Sequence, residues 1–183
     1  FGDGGGADAP GKETEGIAYH NGFLYAVTND PITIEVCNFG PCFFEQRRVA
    51  VIHQINPATG EALSESIVRV QDFGGQEPLK DEVGALASDG QNLLVGLRGI
   101  PQGGQPRGYQ LDPNNLGAPG QPVDQCNGQL PIMDGYDSLL VTTGPEFPAN
   151  RQVIAAGRAN TGTGPSDTIA RFDAQGTMFG ETS

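Results

Sequence analysis

One phrase recurs three times in this chain: a short apolar strand, a turn carrying Asx or Gly, then a reversal. The copies are His53-Gln54-Ile55-Asn56-Pro57-Ala58-Thr59-Gly60-Glu61, Gly108-Tyr109-Gln110-Leu111-Asp112-Pro113-Asn114-Asn115 and Ala170-Arg171-Phe172-Asp173-Ala174-Gln175-Gly176. Ile55, Leu111 and Phe172 stand 56 and 61 residues apart. Units of that length built from strands and turns cannot bury their apolar faces singly, so they stack as blades. The chain therefore reads as all-β: a Gly/Asp-rich leading segment, residues 1–14, then a single domain over 15–183. Within it, three four-stranded antiparallel units fall at about residues 15–73, 80–123 and 128–183.

The local signals agree with that division. Asn21-Gly22 between apolar runs predicts a tight hairpin, since both residues tolerate positive φ. Ser88-Asp89-Gly90 and Asp134-Gly135-Tyr136-Asp137 mark the corresponding turns of the later units. This alignment puts Tyr25, Leu94 and Leu140 at one shared position on second strands, and makes Ile67-Val68-Arg69-Val70 the outer strand of the first unit. No segment keeps a 3.6-residue apolar period with caps, so helix is not expected. Gly and Pro total 42 residues (28 and 14), about twice average usage. Hydrophobic residues still reach 37%, which fits turn-rich globular structure better than disorder.

Three units are fewer than the four to eight of closed β-propellers. An incomplete stack exposes apolar flanks, so the chain is expected either to belong to a longer one or to close by association, as a homo-oligomer or a filament-like assembly. A net charge of −12 argues against nucleic acid as a partner, because phosphate neutralisation supplies most of that affinity. The lack of about 18 uninterrupted apolar residues argues against membrane insertion. The opening Phe1-Gly2-Asp3 without a Met reads as a mature or trimmed N-terminus.

Cys37 and Cys42 flank a Gly-Pro turn, which brings them within disulfide reach; their spacing is not the CxxC of zinc or redox sites. Such a bridge implies an oxidising, extracellular or periplasmic location, and leaves Cys126 as a buried free thiol or an intermolecular bridge.

Two phrases carry a resemblance. Glu15-Gly16-Ile17-Ala18 and Val83-Gly84-Ala85-Leu86-Ala87 each open a unit, and Gly96-Leu97-Arg98-Gly99 ends a second strand. Over about residues 12–145 the chain resembles the esterase-like phytase propellers and related uncharacterised secreted propellers. The resemblance implies a propeller fold, export, and calcium or phosphoester chemistry near a central channel. Glu15 is the acid that carries over; the second unit has Val83 at that place with Glu82 one position early, and the third has Leu130-Pro131.

The candidate cation ligands are Glu13, Glu15, Asp81 and Glu82, which precede first strands where such loops converge. Calcium takes six to eight oxygens, so several loops would have to supply it. The two histidines, His20 and His53, are too few for a three-His zinc site, and no nucleophile elbow, His-Glu-x-x-His or P-loop is present. Arg47-Arg48, or Arg98 with Arg107, offers an anion grip. Thr161, Thr163, Ser166 and Thr168 lie in a polar run read as a loop open to O-linked sugar in an exported protein. The expected function is an extracellular structural or binding module that self-assembles, without a clear catalytic set. The alternatives are a calcium-dependent phosphoester or lactone hydrolase and a carbohydrate- or peptide-binding propeller.

Overall fold

The computed structural model describes residues 13–36, 42–72, 75–79, 82–98, 108–122, 135–142, 152–160, 165–172 and 178–182. Among them there is no helix, and the strands form three sheets. The first is an antiparallel meander of β1 (Glu13–His20), β2 (Phe23–Val36), β3 (Phe43–Ile55) and β4 (Ala62–Ile67). The second contains β5 (Arg69–Asp72), β6 (Gly75–Pro78), β7 (Val83–Ser88), β8 (Leu93–Leu97), β9 (Gly108–Leu111) and β10 (Pro119–Pro122), in the order β6-β5-β10-β9-β8-β7. The third is β11 (Gly135–Thr142), β12 (Gln152–Asn160), β13 (Pro165–Phe172) and β14 (Met178–Thr182), paired in chain order.

The recurring phrase marks the same place in each sheet: Ile55, Leu111 and Phe172 end β3, β9 and β13. In two copies the Asx side chain closes the turn identically. Asn56 Oδ1 accepts from the Ala58 amide at 2.9 Å and Asp112 Oδ1 from Asn114 at 2.8 Å. The third copy's Asp173 lies outside the described residues. The first hairpin also follows its sequence, with Asn21 at φ 46° and Gly22 at φ 88° between His20 and Phe23.

Two expectations need correction. Ile67–Val70 is not one outer strand: β4 ends at Ile67, and β5 crosses to the second sheet to pair with β10 in parallel and with β6 antiparallel. Leu140 does not share a position with Tyr25 and Leu94. It lies on β11, the edge strand of its sheet, and is exposed, whereas those two are buried on β2 and β8. Sheet membership was set by the partner β11 found, β12, and not by the turn before it.

The sheets stack face to face in the order first, second, third. Tyr25, Val27, Ala50 and Ile52 pack on Leu86, Leu93, Val95 and Tyr109 between the first two. Ala85, Ala87 and Leu94 meet Tyr136, Leu139, Val141 and Ala155 between the second and third. On the outward side of the first sheet Ala26, Val51 and Ile55 of the inner strands are buried, while Ile17 and Tyr19 of the edge strand β1 are exposed. The outward side of the third exposes Leu140 and Ile169.

Val68, the single residue between β4 and β5, ties two sheets together. Its amide donates to the Ala50 carbonyl (2.9 Å), the Leu79 amide to the Val68 carbonyl (2.8 Å), and the Ala50 amide to the Leu79 carbonyl (3.0 Å). These three backbone bonds form a closed ring whose members are all buried.

Candidate functional site

The first strands β1, β7 and β11 are edge strands of the three sheets, and together they border one cleft. Each contains a register shift near its start, at Thr14/Gly16, Val83/Ala85 and Tyr136/Ser138. The residues left over are Glu15, Gly84 and Asp137. A bulge re-aims its side chain, and here two of the three carry carboxylates that converge on one cation.

That cation is Arg98, immediately after β8. Its Nη2 donates to Glu15 Oε2 at 2.6 Å and its Nη1 to Glu82 Oε1 at 2.8 Å, while Nε lies 3.5 Å from Asp137 Oδ1. The Arg98 amide also donates to the Glu82 carbonyl at 2.8 Å. Burial opposes the guanidinium charge, but the fields of Glu15, Glu82 and Asp137 and the hydrogen bond to Glu82 outweigh it, and its pKa is raised. The Glu15 side chain is only 5% exposed, against 41% for Arg98. Its second oxygen, Oε1, is buried without a hydrogen-bond partner.

Of the acids expected to hold calcium, Glu15 and Glu82 are thus brought together, around a guanidinium. Glu13 lies in β1 opposite Asn29, and Asp81 lies outside the described residues. The donor set does not fit calcium, because a fixed positive group stands between the carboxylates that would have to approach the ion. Among the described residues no group of three His, Cys, Asp or Glu side chains is arranged for a metal. Arg98 does grip anions, as its residue type suggested, but they are the protein's own.

Asp137 is the participant that sequence reasoning missed. A signal existed: Asp137-Ser138-Leu139-Leu140 repeats the acid, small residue and two apolar residues of Glu15-Gly16-Ile17-Ala18. It was hidden because Asp137 was read as part of a turn. Gly84, at the second unit's bulge, has no room for an acid or any other side chain. A Cβ there would land on the Tyr136 carbonyl oxygen.

At the far end of β1 and β7, His20 Nδ1 lies 2.8 Å from Ser88 Oγ and its Nε2 lies 2.9 Å from Asn21 Nδ2. The Asn21 amide donates to Nε2, so Nδ1 carries the proton and donates to Ser88, which also accepts from the Gly90 amide at 3.1 Å. The buried imidazole meets the Tyr25 ring edge-on, at 6.3 Å between centroids. Between the two ends, Asn29 locks β2 to the start of β7 by donating to the Val83 carbonyl and accepting from its amide, both at 3.1 Å. The cleft between these anchors measures about 340 Å³ and is bordered by Ile17, Tyr19, Leu86, Ser88 and Leu140.

The remaining expected sites lie elsewhere. Cys37, Cys126, Thr161 and Thr163 fall outside the described residues. Ser166 and Thr168 are in β13, paired with Ala159 and Gly157, so this part of the supposed loop is strand. Its β-branched Thr168 and Ile169 suit a pleated backbone. Among the described residues, no helix is long and apolar enough to cross a membrane. No protein-family model and no curated protein matches the chain.

Proposed function

We propose that the chain is an extracellular structural or binding module of blade-like sheets that associates with a second copy through the outward face of its third sheet. One observation carries this reading: Leu140 and Ile169 are exposed on an edge and an inner strand of that face, whereas on the first sheet's outward side the inner-strand residues Ala26, Val51 and Ile55 are buried and the exposed Ile17 and Tyr19 belong to the edge strand β1. A two-fold contact places the same face on both partners, which suits a flat sheet carrying apolar side chains. The blade reading draws support from the shared strand-end turn and from the three bulged edge strands along one cleft. The phytase-like hydrolase reading loses ground because Arg98 stands where its cation would.

Light scattering at micromolar concentration should give a dimer, unchanged by chelator, and Ile169→Lys should convert it to monomer. A monomeric wild type overturns the association. Calcium-dependent hydrolysis of a phosphoester that Glu15→Gln abolishes restores the phytase-like reading of the Glu15 cluster.

Export rests on the cysteines. The ladder between β2 and β3 pairs Glu35 with Phe44 and Val36 with Phe43. Cys42 stands just before β3 and Cys37 lies outside the described residues, so the expectation is the sequence's: the Gly-Pro turn between the two cysteines lets their thiols bond. We expect peptide mapping of protein never exposed to reductant to recover Cys37 joined to Cys42. Recovery of both as free thiols, or of either joined to Cys126, refutes it.

A further inference from the structure

On the outward side of the first sheet, Thr28, His53 and Glu65 form a hydroxyl–imidazole–carboxylate row across three adjacent strands. The register places His53 between Ala26 of β2 and Glu65 of β4, and Thr28 is two residues along from Ala26 on the same face. Thr28 Oγ1 lies 2.9 Å from His53 Nε2, and Glu65 Oε2 lies 3.7 Å from His53 Nδ1. With Nδ1–H turned to the carboxylate, Nε2 is the lone-pair nitrogen and accepts the hydroxyl proton. The Glu65 contact is longer than a hydrogen bond, as such contacts commonly are before substrate binds.

The row opens into a pocket of about 390 Å³ whose walls include Thr28 and His53 beside Ala26, Ile55 and Ala62. Thr14 and Gly60 complete a lining that is mostly apolar. We propose that this is an acyl-transfer site for small esters with a short apolar acyl chain. Thr28 is the nucleophile, His53 the general base and then acid, and Glu65 the positioning residue that holds the imidazole tautomer. Thr28 Oγ1 bonds to the ester carbonyl carbon while its proton passes to His53 Nε2. The C–O bond to the alcohol then breaks, and the alcohol leaves with that proton. Water attacks the acyl-Thr28 ester, again giving a proton to His53, and the carboxylic acid departs as Thr28 regains its hydrogen.

The other hydroxyl–imidazole pair, Ser88 with His20, lacks this character. Its second ring nitrogen faces the Asn21 amide, no carboxylate backs it, and the Ser88 hydroxyl is already held by the Gly90 amide. The inference does not depend on self-association, since the pocket and the third sheet lie on opposite sides of the stack.

The test is incubation of the whole chain with p-nitrophenyl butyrate. Nitrophenolate should be released above the buffer rate, with a butyryl adduct on the peptide containing Thr28. Thr28→Ala should remove both signals, Thr28→Ser should keep them, and His53→Gln should slow release about 100-fold or more, the usual worth of a positioned general base. Glu65→Gln should lower kcat with KM unchanged. Wild-type protein that gives no release above buffer, an adduct confined to other residues, or release that survives Thr28→Ala overturns the proposal.

Discussion

Gly84→Ala should destabilise the protein by about 3 kcal/mol, the upper range for forcing a methyl into a packed core. The added Cβ would land on the Tyr136 carbonyl oxygen and 3.1 Å from the Arg98 Cβ. A backbone carbonyl held in a strand cannot swing aside, so relief requires the second and third sheets to part. Tyr136, fully buried, also lies over Gly96, where a Cβ would come within 2.8 Å of the Tyr136 Cβ. Gly96 therefore leaves room for the ring and Gly84 for the Tyr136 backbone carbonyl. Gly22→Ala is the control: φ is +88° there but nothing lies within 4 Å, so the cost should be about 1 kcal/mol of backbone strain alone. Urea denaturation of both variants checks the difference; equal losses would mean that conformation, not crowding, selects glycine at position 84.

Arg98→Met should cost about 2–3 kcal/mol. Removing one partner of a fully buried pair typically costs about 3–5 kcal/mol, and solvent around the half-exposed guanidinium reduces that. Most of the loss arises at Glu15, whose carboxylate remains buried with no compensating charge. Glu15→Gln in the Arg98→Met background should therefore recover part of the stability, whereas Glu15→Gln alone should cost some. A double-mutant cycle from urea melts reads this directly. Additive effects of the two substitutions would show that the ion pair contributes nothing specific.

Turns were the most legible part of the sequence, because their chemistry is local. Asn21-Gly22 supplies positive φ, and Asn56 and Asp112 supply an acceptor two residues before a free amide. The strands with an apolar pattern, such as β3, β7 and β8, were legible for the same reason. What escaped were β6 and β10, Gly75-Gln76-Glu77-Pro78 and Pro119-Gly120-Gln121-Pro122, which carry no alternation and exist as strands only through their neighbours. The parallel pairing of β5 with β10 joins segments about fifty residues apart, and no local signal encodes it. The candidate site shows the same division. Glu15 and Glu82 were visible as acids before first strands, but the guanidinium that gathers them comes from the end of another strand. The Gly96-Leu97-Arg98 phrase now has a physical content: room for an aromatic ring, a core side chain, and a cation for three carboxylates.

The ring of backbone bonds among Ala50, Val68 and Leu79 bears on how this protein comes apart. Each amide in it is held by a residue from a different stretch of chain, so none can be released to solvent by fraying one strand end. Opening any of the three requires the first and second sheets to lose their mutual packing, which makes them one cooperative unit in native-state opening. Among the described residues the third sheet meets the second through packed side chains and the Arg98 cluster. It is thus the detachable part of the stack, able to open as a subglobal unit while the first two sheets remain folded.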